Sequence, residues 1–442
     1  MFKFGFDLPA DDGGADDGGA DVDCRRQQQP QEEPSAGEHE APRADNVPTT
    51  TTTSKPRLSV LDMSDAITAV FESDTLFEYV PLFDSDACNA ADAPPAPIQP
   101  LRRVVFPPDQ KVPPSLAGNA NANAIAGGGL SSALNGESLA DTDLIPGIYE
   151  GGLKVWECSL DLCRHLAEEM MRLEQPNQGE GSGADANDND NDDGLSKNND
   201  VYHALSRTGK TMELGCGHGL PACLVLRELR KRWADNEDSN NSAAGGNAGG
   251  IGGYSVLFSD YNEFVLRDAT VPNVILNMDS DRPCPNDANE WGKVKGCVAC
   301  VSGDWMDLSS RLQAGSILSN TSSAAGGDGG ENDASTMPLR DDGRFDLILA
   351  AETTYTPESA KDTAELLGRH LRVNTGVGLV ATKRYYFGVG GGADAFRRAA
   401  ASVVVKAGLP GEEVGCELQV ETVKSYDTGV GRDLLRVRLV VQ

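Results

Sequence analysis

From residue 143 onward, short apolar runs that read as strands alternate with patterned stretches that read as helices. Residues 211–214 form such a run and stop at Gly215-Cys216-Gly217; residues 220–233 follow as a helix with Leu224, Val225, Leu226 and Leu229 facing inward. A strand over 254–259 ends on Asp260, one over 296–302 ends at Gly303-Asp304-Trp305, and 345–351, apolar but for Asp346, ends at Ala351 on Glu352. A helix over 358–371, a strand over 378–382 and a helix over 393–407 come next, and strands over 417–424 and 433–441 are joined by a turn. Strand–helix units closed by a C-terminal β-hairpin predict an α/β fold: a Rossmann-like, seven-stranded sheet with helices on both faces. Ahead of it, residues 154–173 have the apolar spacing of an amphipathic helix that covers one edge.

Much of the rest resists a core. Residues 9–56 are Asp, Gly, Gln, Pro and Thr with hardly an aliphatic side chain, and 1–142 as a whole reads as mostly disordered, acidic and of low complexity, with short docking segments; 58–83 reads as a short helix or docking segment and 101–106 as an edge strand. Three biased excursions, 175–200, 235–253 and 313–342, read as surface insertions, because long structureless loops contribute nothing to a compact core. Setting them aside leaves about 225 residues of 143–442, the size of one α/β domain.

The formal net charge is -30. A surface so acidic repels phosphate backbones, so direct nucleic-acid binding is not expected, and a basic partner is. No apolar run is long enough for a membrane span, and the opening residues carry no signal-peptide core. The 10 cysteines are scattered, mostly in apolar runs, and read as buried thiols. Cys297 and Cys300 imitate a metal knuckle, but on a strand side chains three apart point to opposite faces, so no metal is expected.

The chemistry concentrates where the strands end. Glu213-Leu214-Gly215-Cys216-Gly217-His218-Gly219 is a strand, glycine turn and helix start. Glycines let the backbone approach a ligand and take left-handed angles. The spacing is not that of a dinucleotide-binding turn, and Pro221 in the first helical turn removes an N–H donor, so a cofactor without phosphate suits it, such as S-adenosylmethionine. Asp260 stands about 41 residues beyond Gly219, and about 22 once the 235–253 excursion is set aside. That is the register of an acid gripping ribose hydroxyls, although a turn or cap is the plainer role for such an Asp. Asp304 can meet an adenine amine and Trp305 can stack on its ring, or Trp305 is plain core. Glu352 and Tyr355 follow the fourth strand, at the reacting end; Glu352 alternatively caps the next helix. Residues 383–392 join basic and aromatic side chains to glycines, as a loop that clamps a peptide or as a flexible turn.

DLIPGIYEGGLKVWEC at 143–158, GCGHGLP at 215–221, DYN at 260–262, VPNV at 271–274, GDW at 303–305, ETTY at 352–355 and YYFGVGGG at 385–392 closely resemble the protein-histidine N-methyltransferase family. The resemblance covers about 143–442, and the opening FKFGF also looks like the family's start. It departs at His218, where the family tends to have a small residue, and in the acidic insertions. The family's members are S-adenosylmethionine-dependent enzymes of the seven-strand class that modify a histidine of a large-subunit ribosomal protein. The resemblance implies that Lys154, Val155, Trp156, Glu157 and Cys158 lie over the cofactor. It implies that Glu213, Gly215, Cys216 and Gly217 approach it, and that Asp260, Tyr261 and Asn262 hold its ribose. Gly303, Asp304 and Trp305 would flank adenine, Ala351 would adjoin the site, and Glu352 and Tyr355 would be catalytic. The expected enzyme is a monomer of cytoplasm and nucleus whose partner is a basic ribosomal protein. Alternatives are a protein-lysine methyltransferase of the same fold, a non-catalytic cofactor-binding adaptor for a basic ribosomal protein, or a small-molecule methyltransferase.

An imidazole nucleophile, with an ordinary pKa of about 6.5, needs no strong base. It needs the tautomer with its lone pair on the attacking nitrogen, expected to be the tele nitrogen, which a carboxylate such as Glu352 can fix by accepting the other N–H.

Overall fold

The computed structural model describes residues 58–63, 66–67, 77–82, 98–105, 149–174, 201, 204, 210–240, 255–278, 297–314, 343–407 and 414–442. The strands are β1 (Ser59–Val60), β2 (Phe77–Val80), β3 (Leu101–Val104), β4 (Lys210–Leu214), β5 (Ser255–Asp260), β6 (Val298–Ser302), β7 (Leu347–Ala351), β8 (Val377–Lys383), β9 (Val404–Ala407), β10 (Val414–Tyr426) and β11 (Arg432–Val441). The helices are α1 (Glu157–Glu174), α2 (Leu220–Asn240), α3 (Glu263–Val265), α4 (Val271–Asn277), α5 (Trp305–Gln313), α6 (Pro357–His370) and α7 (Ala393–Ser402), with a π-helical turn at Leu266–Thr270 between α3 and α4.

The large sheet has the order β1-β6-β5-β4-β7-β8-β11-β10-β9. Strands β6, β5, β4, β7 and β8 are parallel, and β11 and β10 close the sheet antiparallel. The chain runs outward from β4 to β6, then returns to β4's other side with β7. Strand order therefore reverses between β4 and β7, and the carboxyl ends there are Leu214, Asp260 and Ala351. A crevice at such a reversal is where open α/β sheets bind ligands.

Both faces are covered, and the inner strands β4, β5 and β6 are buried throughout. Leu347 and Leu349 of β7 pack in one cluster with residues of α1, α2 and α4. Ile348 and Ala350 pack in the other, with α5, α6 and α7. That is the two-residue alternation of a strand buried on both sides. Helix α6 starts where Thr356 and Ser359 form a reciprocal capping box, with Pro357 at its first position.

Most boundaries read from sequence shift by a few residues, and several readings need correction. The sheet has nine strands, not seven, because β1 pairs with β6 at Ser59↔Ser302 and β9 pairs with β10 at Val414↔Ala407. The helix expected over 393–407 stops at Ser402; the β-branched Val403-Val404-Val405 favour extension, and β10 offers an open edge. The helix expected from 154 begins at Glu157, leaving 149–156 as a strap. Helix α2 runs to Asn240, past the expected start of the second excursion. Residues 101–106 are not an edge of the main sheet. Their β3 pairs with β2, and Asn277 grips Arg102 through its backbone N–H at 2.8 Å and carbonyl at 2.7 Å. Cys297 lies just before β6 and Cys300 within it; both pack in the same apolar cluster rather than on opposite faces. The 175–200 excursion, the rest of the other two, and the segments 1–57 and 106–148 lie outside the described residues. Among the described residues no helix is long and apolar enough to cross a membrane.

Candidate active site

The turn after β4 is held by its own backbone. The Cys216 N–H donates to Ser259 O at 2.9 Å, and the Thr270 hydroxyl donates to Gly217 O at 2.6 Å. Gly217 takes φ +52, and a Cβ there would sit 2.9 Å from the Gly152 carbonyl oxygen. Glycine is needed for both reasons: the angle is left-handed and the strap lies directly over the turn.

Asp260 ends β5 under that strap. One carboxylate oxygen accepts the Gly217 N–H and the other the Asn262 N–H, each at 3.0 Å. Burial pushes its pKa up to about 6, against those two N–H groups. Glu213 is also buried and accepts the Ala222 N–H at 2.9 Å. Burial raises its pKa to about 8; the Ala222 N–H opposes the shift and nearby Asp260 adds to it.

Glu213 supports a prediction about stability. Folded, it keeps its proton up to about 8, whereas unfolded it releases it near 4.5. Its contribution to stability therefore falls as pH rises through that window. Glu213→Gln removes the dependence and keeps a carbonyl for the Ala222 N–H. Differential scanning calorimetry of protein without added ligand should show the variant's Tm gaining on the parent's by several degrees from pH 5 to 8. A difference that stays flat with pH would contradict the buried-acid assignment.

The strap is tied down by bonds within itself and by one to the glycine turn. The Leu153 N–H donates to the Tyr149 hydroxyl at 2.8 Å, and Trp156 Nε1 donates to Gly151 O at 3.1 Å. His218 Nε2 donates to Leu153 O at 3.0 Å while its Nδ1 accepts from Asn273 at 3.1 Å. Those partners define a neutral imidazole, and burial lowers its pKa to about 4. It lines the cleft, with its ring spent on holding the strap. Across the cleft, the Tyr355 hydroxyl donates to Glu150 Oε2 at 2.5 Å. Burial and then Glu150 raise the Tyr355 pKa, so this phenol stays protonated.

Glu352 follows β7 with φ +59, a left-handed angle that is strained for a side chain with a Cβ. Its side chain is 7% exposed. The Tyr386 hydroxyl donates to Oε2. Oε1 is buried without a hydrogen-bond partner, with the Lys383 ammonium 3.6 Å away. Glu352 is not a helix cap, since Thr356 holds that position in α6. Trp305 Nε1 is likewise buried without a partner.

These groups meet in one cleft of about 320 Å³ at the strand-order reversal. Of the site residues expected from sequence, its wall takes in Lys154, Val155 and Trp156 of the strap. It also takes in Glu213, Gly215, Cys216 and Gly217 of the first turn, Asp260 and Tyr261, Asp304 and Trp305, and Ala351, Glu352 and Tyr355. Four expected residues stand off the wall. Glu157 begins α1 with a largely exposed side chain 3.8 Å from Lys383. Cys158 is fully buried behind Glu352, and burial drives its thiol pKa up. Asn262 turns its side-chain oxygen to the Glu150 N–H at 3.3 Å. Gly303 packs on Leu58, whose Cα would stand 2.8 Å from a Cβ there. Asp304 reaches the wall, but its carboxylate caps α5 through the Met306 and Asp307 N–H groups. Sequence reading missed Glu150 and Thr353 on the wall and Tyr386 behind it. Only the basic–aromatic string at 383–387 hinted at the last.

Strand order, the glycine turn and the acid ending β5 form the arrangement expected from sequence for S-adenosylmethionine. The residues fit that group: a glycine turn open to close approach, a buried acid beside it, and an indole N–H and a carboxylate oxygen left without partners on one cleft. By sequence, the chain is similar to proteins named histidine protein methyltransferase 1. A histidine protein methyltransferase 1 homolog of Dictyostelium discoideum is 30% identical over 257 residues, 58% of this chain and 51% of its own length. The homolog of Rattus norvegicus is 25% identical over 309 residues, 67% of this chain and 59% of its own. Histidine protein methyltransferase 1 of Saccharomyces cerevisiae is 28% identical over 263 residues, 57% of this chain and 58% of its own. The matches thus span between half and three fifths of these relatives. No family model matches the chain. Among solved structures, an O-methyltransferase from Bacillus cereus overlaps 54% of this chain and 78% of its own at 11% identity, with a TM-score of 0.29.

Proposed function

We propose that the chain is an S-adenosylmethionine-dependent methyltransferase whose acceptor is a histidine side chain of a basic protein, a protein of the large ribosomal subunit. The observation that carries this is Glu352: a buried carboxylate on the cleft wall with one oxygen anchored by Tyr386 and the other, 3.6 Å from the Lys383 ammonium, without a hydrogen-bond partner. The names of the relatives support the histidine acceptor, and the net charge of -30 supports a basic partner.

When bound, S-adenosylmethionine supplies an electrophilic methyl on its sulfonium. Asp260, with the glycine turn beside it, would hold the ribose, and Trp305 would lie against the adenine. Glu352 Oε1 accepts one N–H of a neutral imidazole and so leaves the lone pair on the other nitrogen. The Tyr386 hydroxyl fixes the carboxylate's direction, and the strap from Glu150 to Trp156 excludes water. Holding the reacting atoms in line is the main source of rate.

The whole chain is to be incubated with methyl-labelled S-adenosylmethionine and purified ribosomal proteins, and the labelled residue located by mass spectrometry. Label on histidine is expected; label on lysine, or none, overturns the reading. Asp260→Ala should weaken cofactor affinity by about 1–3 kcal/mol, since ribose hydroxyls lose a charged acceptor. Titration calorimetry showing the parent's affinity in a variant with unchanged Tm would remove Asp260 from that role.

A further inference from the structure

We propose that Lys383 is a specificity-determining residue, which reserves the cleft for a neutral imidazole and turns away an ammonium. The inference rests on the histidine reading and deepens it. Lys383 ends β8 and is 8% exposed. Its ammonium lies 3.6 Å from Glu352 Oε1 and 3.8 Å from Glu157 Oε2. It stands 4.9 Å from the centre of the Trp156 ring and 5.6 Å from that of Tyr386. Lys154, from the strap, places a second ammonium 4.5 Å from the centre of the same indole. The remaining groups near Glu352 are neutral: the Cys158 thiol and the Tyr386 phenol, both with raised pKa, mainly from burial.

This arrangement decides what Glu352 can do. A buried carboxylate with no counter-charge attracts any cation strongly, because the surroundings screen little. Glu352 already has its cation, supplied from within the fold. An incoming lysine side chain would bring a further ammonium against Lys383 and Lys154 and find a carboxylate already neutralised. A neutral imidazole meets no such repulsion. It needs only an acceptor for one N–H, which Oε1 still provides. Lys383 thereby turns Glu352 from an ion-pair partner into a hydrogen-bond acceptor. Tyr386 keeps the other oxygen occupied, so Oε1 is the one acceptor left on this carboxylate.

Binding of side-chain analogues tests this without relying on turnover. The full chain, saturated with S-adenosylhomocysteine, is titrated at pH 8 with 4-methylimidazole and with n-butylamine, and binding is followed by ligand-observed NMR. The amine is then a cation and the imidazole mostly neutral. The unmodified protein should bind the imidazole at least tenfold more tightly, and the preference should fade at acidic pH as the imidazole gains its proton. Lys383→Met should narrow or reverse the preference, and Lys383→Arg should retain it. Equal or tighter binding of the amine by the unmodified protein overturns the proposal, even if the Met variant fails to fold. So does a folded Lys383→Met with the parent's preference. Failure of the histidine reading shows separately, as label on another residue in the transfer experiment.

Discussion

Glu352→Gln should lower turnover at least tenfold while leaving cofactor affinity nearly unchanged. The glutamine keeps the shape and can still accept the Tyr386 hydroxyl through its carbonyl oxygen. Its amide nitrogen then takes the position of Oε1, 3.6 Å from the Lys383 ammonium in the parent, and offers donors where the substrate needs an acceptor. A charge-assisted hydrogen bond contributes about 1.5–3 kcal/mol, which is one to two powers of ten in rate if it is made at the transition state. The capping alternative is closed, because Thr356 and Ser359 cap α6 between themselves. What remains is a purely structural pairing with Lys383 and Tyr386. Steady-state kinetics and a melting curve on the same variant separate the two. A parent-like rate with a lowered Tm would return Glu352 to structure alone.

The second large effect should come from Gly391→Ala, a residue on no cleft wall. The loop between β8 and α7 is stitched to the loop after β7: the Gly391 N–H donates to Tyr355 O at 3.2 Å and the Gly392 N–H to Thr354 O at 2.8 Å. A Cβ on Gly391 would lie 2.2 Å from Thr354 O and 2.2 Å from the Tyr355 carbonyl carbon. Neither atom can yield without moving backbone, so the loops must part. Tyr386 rides on one and Tyr355 on the other, so both cross-cleft hydrogen bonds are disturbed together. Strain of this kind typically destabilises by about 1–3 kcal/mol. Methyl transfer should drop tenfold or more, and Tm should fall by several degrees. Parent-like values of both would mean that the two loops move independently.

The strands that carry the site could be read from sequence because each core strand ends on a residue with chemistry. Asp260 fell into register once an insertion was set aside, and Leu214 and Ala351 were fixed by apolar runs ending in glycine or acid. Pairings across the cleft were illegible because they follow no period. Nothing local selects Tyr386 over Tyr385 as the partner of Glu352, yet Tyr386 is 7% exposed and Tyr385 61%. Tyr355 and Glu150 meet across about 205 residues. Strand β1 is two residues long and joins the sheet only because β6 leaves an edge open. Strand β9 was hidden by the alanine-rich helix before it, whose composition masked the change to a valine run.

The position of β11 dictates an order of assembly. It follows β10 in the chain but lies between β8 and β10 in the sheet. Until β11 arrives, β10 and β9 have nothing to attach to, and β8 shows a bare row of backbone donors and acceptors. Hairpin closure is local and fast. The β10–β11 hairpin is therefore expected to dock as a unit onto the parallel half. The crevice at the strand-order reversal is lined by that half together with the strap, and by nothing from β10 or β11, whereas Lys383, at the end of β8, is paired with Arg432 of β11. The cradle can thus form before the hairpin docks, while the alignment of the specificity lysine waits for the last strand to lock.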